Sequence, residues 1–166
     1  DVSVGAWYHE AVDYVVKNGL MQGISATNFE PEKLAARGML VSMLYRLENE
    51  PGAAEKNVFK DVSAGSFYTD AVTWASENGI VEGYGAAVFG PEDGITREQL
   101  VTILYRLAGE PEVADFENPF TDIGTDFYYT KAVLWAAHYG IVEGVSETEF
   151  APHHVATREQ MATFLY

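Results

Sequence analysis

The sequence predicts an all-α, mainly helical fold built from three tandem helix–loop–helix repeats. Three observations carry this. Aligned on Asp1, Asp61 and Asp122, spaced 60 and 61 residues apart, the chain repeats itself without internal gaps. Within a repeat, apolar residues recur twice at helical spacing. Between those stretches lies a glycine-rich segment with no 3.6-residue period, and it leads into strong helix-start signals.

The agreement extends over many spaced positions. Tyr8, Tyr68 and Tyr129 share one offset, as do Ala11, Ala71 and Ala132, and Val12, Val72 and Val133. Tyr14 stands where the later copies have Trp74 and Trp135. Three glycine pairs follow, Gly19/Gly23, Gly79/Gly83 and Gly140/Gly144, then Phe29, Phe89 and Phe150 and the prolines Pro31, Pro91 and Pro152. Arg37, Arg97 and Arg158 come next, and Tyr45, Tyr105 and Tyr166 close the pattern. The copies are delimited as 1–50, 58–110 and 119–166, joined by "ENEPGAAEKN" and "GEPEVADFEN", whose proline, glycine and acids suit linkers. Together they are expected to form one structural domain.

The middle copy justifies each element. In "FYTDAVTWASENG", Phe67, Ala71, Trp74, Ala75 and Asn78 fall at helical spacing, and Gly79 can supply the left-handed residue that ends a helix. "IVEGYGAAVFGPEDG" is read as a structured loop. In the second helix Thr96 is the N-cap, Gln99 completes a capping box, and Ile95 with Leu100 form a hydrophobic staple. Leu100, Val101, Ile103, Leu104 and Leu107 make its apolar stripe, and Gly109 and Pro111 stop it. No such helix buries its stripe alone, so the three second helices are expected to meet in a central three-helix bundle.

Composition narrows the function. The chain of 166 residues is 48% hydrophobic and 13% aromatic, enough to bury a core. Its formal charge of −15, from 25 acids and 10 bases, disfavours nucleic acid and anionic lipid as partners. No apolar run approaches the roughly 20 residues that span a bilayer. With no cysteine, disulfides and thiol chemistry are excluded. The chain opens at Asp1 within a motif and without a basic n-region, as a mature or excised piece of a longer protein would.

F-x-D-V, a helix bearing W-A, "GIVEG", a loop with F-x-P, then "ITRE" and "LYRL" together resemble the S-layer homology (SLH) domain. The middle copy matches end to end, the third nearly so, and the first carries "AARG" where "TREQ" belongs. The resemblance implies a pseudo-threefold, three-pronged arrangement with grooves between repeats. It also implies non-covalent anchoring of a bacterial surface protein, extracellularly, to a secondary cell-wall polysaccharide through a pyruvylated amino-sugar end. By the same resemblance the ligand-binding residues are Arg37, Arg97 and Arg158, with Asp1, Asp61 and Asp122, Gly23, Gly83 and Gly144, and Trp74 and Trp135. A monomer is expected for the isolated domain, with no cofactor.

Each residue type also has a plainer reading. An arginine starting a helix opposes the dipole by roughly 0.3–1 kcal/mol. Arg37 persists although its Thr, Glu and Gln neighbours are gone, so helix initiation does not explain it. A guanidinium beside free helix-start N–H groups makes a carboxylate receptor; the alternative is a clamp on an acid of the fold. The aspartates read as turn or cap residues, or as acceptors for sugar hydroxyls. The glycines serve backbone conformation or close ligand approach, and the tryptophans serve the core or a sugar face. His9, His138, His153 and His154 recur at no common position, so no metal is expected. Triplication argues against an enzyme, because a catalytic pair is unique in its chain. A helical protein-interaction scaffold is the remaining alternative.

Overall fold

The computed structural model describes residues 1–166 and is helical, with no sheet. The helices are α1 His9–Lys17, α2 Arg37–Leu47, α3 Thr69–Glu77, α4 Arg97–Leu107, α5 Thr130–His138 and α6 Arg158–Thr163. They fall two to a repeat, as the periodicity predicts. The chain forms two compact units, residues 1–94 with 156–166 and residues 95–155. The divisions fall just before the second helices of the middle and last repeats, not in the linkers.

Helix ends follow from local chemistry. In the middle copy α3 stops at Glu77, Asn78 returns its side-chain amide to the Trp74 carbonyl at 2.8 Å, and Gly79 takes φ +69°. The next helix, α4, ends at Leu107 and Gly109 follows with φ +82°. Ile95 and Leu100, the staple pair, are both fully buried, as are Val101 and most of the stripe. Phe67 departs from the helical reading. It precedes α3 and is 61% exposed.

The structured loops fold on themselves and on a neighbouring repeat. In the middle loop Tyr84 N–H donates to Val88 O at 2.8 Å and Val88 N–H to Gly85 O at 3.0 Å. The turn between them places Ala86 and Ala87 at φ +50° and +60°, both left-handed. Just before the second helices, isolated bridges join one copy to the next, Leu34 with Thr157 and Ala36 with Gly94 in the first unit and Thr96 with Val155 in the second.

Helix packing follows the same relation. In the first unit α2 lies against α3 and α6 against α1; in the second α4 lies against α5. The second helix of each copy is thus paired with the first helix of another. One aromatic contact marks each pairing, with ring centroids 5.6 Å apart in all three: Tyr45 with Trp74, Tyr105 with Trp135, and Tyr166 with Tyr14.

The capping boxes differ between copies. Thr157 makes both halves, accepting from Gln160 N–H at 3.4 Å and donating its own N–H to Gln160 Oε1 at 3.1 Å. The box at Thr96 and Gln99 is formed as well, Thr96 N–H reaching Gln99 Oε1 at 3.4 Å, but its hydroxyl half is looser and falls outside strict hydrogen-bonding geometry. Thr157→Ala should therefore cost about 1 kcal/mol, and Thr96→Ala distinctly less. Circular dichroism melts of the two variants check this, and equal losses would contradict it.

Candidate functional site

The recurring aspartates, phenylalanines and arginines meet in one arrangement, made three times. Asp61 accepts the N–H groups of Phe89 and Gly90 at 2.9 and 2.7 Å. Asp122 does the same for Phe150 and Ala151, at 2.9 and 2.7 Å. Asp1 holds Phe29 and Glu30 at 2.8 and 2.6 Å. Each carboxylate therefore fastens its own loop, which is the turn reading.

The same loop is gripped from the other side by an arginine of another copy. Arg37 Nε donates to Phe89 O and Nη2 to Glu82 O, both at 3.0 Å. Arg97 donates to Phe150 O at 2.9 Å and Glu143 O at 2.6 Å. Arg158 donates to Phe29 O at 2.9 Å and Gln22 O at 2.8 Å. Each guanidinium lies about 4.5 Å from the centroid of the phenylalanine whose carbonyl it binds. All three arginines are buried, exposed by only 4–5%.

Two sequence expectations change here. The alternative to ligand binding was a clamp on an acid of the fold; what each guanidinium grips is a pair of main-chain carbonyls, with acids such as Asp122 near Arg97 adding their charge. The helix-start N–H groups are also not free. Arg37 and Gly38 donate theirs to Asp93 O and Pro91 O, Arg97 and Glu98 to His154 O and Pro152 O, and Arg158 and Glu159 to Lys33 O and Pro31 O, all at 2.8–3.0 Å. These bonds remove the first two orphan donors of each helix. An anion at these sites would have to be held by side chains.

The glycines sit beside the grip, since Glu82, Glu143 and Gln22 directly precede Gly83, Gly144 and Gly23. None of the three glycines adopts positive φ, so conformational freedom is not the reason for them. A β-carbon would lie 2.4 Å from Val88 O at Gly83, 2.4 Å from Ser146 O at Gly144, and 2.7 Å from Ser25 O at Gly23. Close approach of the loop backbone excludes any side chain. Trp74 is 6% exposed and Trp135 half-buried, each against its tyrosine partner, the arrangement of core residues.

One of these places opens into a groove of about 290 Å³ in the first unit. Residues 20–24, including Gly23, line it from the loop. From α2 come Met39, Ser42, Met43 and Arg46, and Phe67 and Arg158 complete it. Three of the four methionines of the chain are here, and no acid. Arg46 sends Nη1 to Leu20 O at 3.0 Å. Arg158 spends a third donor on Met39 Sδ at 3.8 Å, a weak acceptor, so two of its five N–H donors have no protein acceptor. Burial lowers the pKa of this guanidinium and Glu30 opposes the shift, yet arginine remains charged at neutral pH. Sequence reasoning missed Arg46, Met39 and Phe67. The repetition of Arg106 and of aromatic residues at positions 7 and 128 was the available signal.

The loop pins predict a pH dependence. Burial works to raise the Asp61 pKa, but the N–H groups of Phe89, Gly90 and Asp61 itself, with the charge of Arg37, outweigh it and hold it below the ordinary value. The folded state thus prefers the carboxylate, and its contribution is complete above about pH 4, the ordinary aspartate range. Stability is lost as pH falls through that range into the lower folded value. Glu159, raised by burial and by Glu32 against the Thr157 hydrogen bond, works in the opposite direction. The melting temperature of Asp61→Asn should be lower at pH 7 and fall less than that of the unaltered chain between pH 5 and pH 3. Parallel curves would contradict the pinning role.

The geometry agrees with what the chain is similar to. The family model described as S-layer homology domain matches residues 1–38, 58–101 and 119–162. The chain is 30% identical over 165 residues to an exoglucanase, XynX, of Acetivibrio thermocellus, covering 96% of this chain and 15% of that protein. It is 30% identical to a surface-layer 125 kDa protein of Lysinibacillus sphaericus, covering 96% and 14%, and 25% identical to an S-layer protein of Bacillus thuringiensis subsp. finitimus, covering 99% and 20%. The chain thus spans a fifth or less of the length of these relatives. Three matched copies, each with its Asp, Phe and Arg bound into one arrangement, place this chain in the S-layer homology family of bacterial S-layer and cell-surface proteins.

Proposed function

We propose that the chain anchors a surface protein non-covalently to the bacterial cell wall by binding a secondary cell-wall polysaccharide, through a pyruvylated terminal amino sugar, in the groove that holds Arg158 and Gly23. The observation that carries this reading is the charge of the groove: two arginines and no acid, in a chain of net charge −15. Such a place suits an anion. The two unassigned N–H donors of Arg158 suit a carboxylate, which a pyruvyl ketal carries. Beyond about 8 Å the surrounding acids are largely screened at physiological salt, so capture depends on local geometry rather than long-range attraction.

Gly23 lines the groove on the loop that Arg158 grips, where the Ser25 and Asn28 carbonyls leave no room for a side chain. Arg37 with Gly83 and Arg97 with Gly144 are the corresponding pairs in the other copies, and we assign them the same role in weaker form. Asp1, Asp61 and Asp122 shape the loops, and Trp74 and Trp135 support the helices behind them. Co-sedimentation with purified sacculi tests the function. Pelleting should vanish after chemical removal of the secondary polymer, and pelleting that survives removal would overturn the reading.

A further inference from the structure

We propose that Phe67 is the stacking platform for the sugar ring in the Arg158 groove, so that one binding site draws a residue from each of the three repeats. This rests on the anchoring reading above. Arg158 comes from the third copy, Gly23, Met39 and Arg46 from the first, and Phe67 from the second.

Phe67 has the properties of a platform. It lies outside the helical stripe and is 61% exposed, yet its ring is held edge-on by Tyr68, with centroids 4.9 Å apart and planes at 71°. Tyr68 is itself buried. A rigid aromatic ring with two side-chain torsions loses little entropy when a ligand covers it. The same position holds Trp7 and Tyr128, each 65% exposed and each edge-on to the next tyrosine, at 5.4 and 5.1 Å. Scattered exposed aromatics need no explanation. What sets Phe67 apart is its place in a groove with two cations and no acid.

The chemistry of the occupant follows. A sugar bearing a carboxylate has one charged edge and an apolar C–H face. The guanidinium of Arg158 takes the first and the face of Phe67 the second, while the methionines adapt to any apolar substituent. Few polar groups set in an apolar lining is the usual division of labour in a small-molecule site.

Calorimetry on the full chain tests this, with a synthetic amino-sugar glycoside bearing a pyruvyl ketal as the probe. Phe67→Ala should bind roughly tenfold to a hundredfold more weakly, the loss typical of removing an aromatic stacking partner. Phe67→Tyr should restore affinity, and Tyr128→Ala should leave it unchanged. Melting curves of Phe67→Ala should stay near those of the unaltered chain, since the ring is mostly exposed. Equal affinity of Phe67→Ala and the unaltered chain overturns this proposal alone. Failure of the unaltered chain to bind the glycoside overturns the anchoring reading and this proposal with it.

Discussion

Replacing Arg97 by alanine should destabilise the fold by about 3–5 kcal/mol, the range for removing one member of a buried charged network. The side chain is 5% exposed and holds two carbonyls, of Phe150 and Glu143, while its guanidinium covers the Phe150 ring. A hydrogen bond from a charged donor contributes about 1.5–3 kcal/mol, and a desolvated cation–π contact about 2 kcal/mol. Alanine leaves both carbonyls beside a cavity. For a chain of this length the melting temperature should drop by roughly 10 °C. Lysine should fall between, because one ammonium cannot reproduce the fixed fork that reaches both acceptors. Circular dichroism melts decide it. An unchanged midpoint in Arg97→Ala would mean that the grip on the loop is dispensable.

Arg158→Lys should weaken binding of the cell-wall polymer by roughly ten- to a hundredfold, corresponding to about 1.5–3 kcal/mol for a lost charge-assisted hydrogen bond. The stability loss should resemble that of Arg97→Lys, because Arg158 makes the same two carbonyl bonds, to Phe29 and Gln22. The comparison separates the two roles. Arg97→Lys should lose stability while keeping affinity in the Arg158 groove; Arg158→Lys should lose both, at a temperature where each variant is folded. Calorimetric affinities measured beside melting curves check the pair. If Arg158→Lys binds as well as the unaltered chain, its guanidinium is a brace and nothing more.

The helices and their ends were legible because their causes are local. Thr96 with Gln99, Ile95 with Leu100, and Gly79 and Gly109 at the stops each act within a few residues, and the structure bears out these helix limits. Partner choice was not legible. The stripe on α2 says that a face must be covered, and nothing in its period says that α3 will lie beside that helix. The acceptors of the three arginines were hidden for a related reason. They are main-chain carbonyls, which every residue carries, so Phe89 O and Glu82 O leave no mark on the sequence around Arg37. The glycines were singled out as ligand-binding by resemblance and read as serving backbone conformation or close ligand approach; in the structure, loop carbonyls such as Val88 O and Ser146 O approach them so closely that no side chain fits. Phe67 reads as part of a helical stripe by spacing, and only its placement ahead of α3 shows that it faces outward.

Met39 shows how a divergent copy is read differently once folded. It stands where the later copies have Gln99 and Gln160, so by sequence the first copy has lost its capping box. In the structure Met39 lines the Arg158 groove and approaches its Nη1. Gly38, where the later copies have Glu98 and Glu159, lies against Pro91 O and the Tyr68 ring, each 2.9 Å from where its β-carbon would be. Glutamate does not fit there without rearrangement. The first copy is adapted to its neighbours.

The most direct measurement compares two ligands on the unaltered chain by calorimetry: an amino-sugar glycoside bearing a pyruvyl ketal, and the same glycoside without it. A groove with two arginines and no acid should bind the first and lose most of that affinity with the second, since the carboxylate that Arg158 receives is gone. Equal binding of both, or binding of neither, would contradict the assignment of Arg158 as the anion receptor.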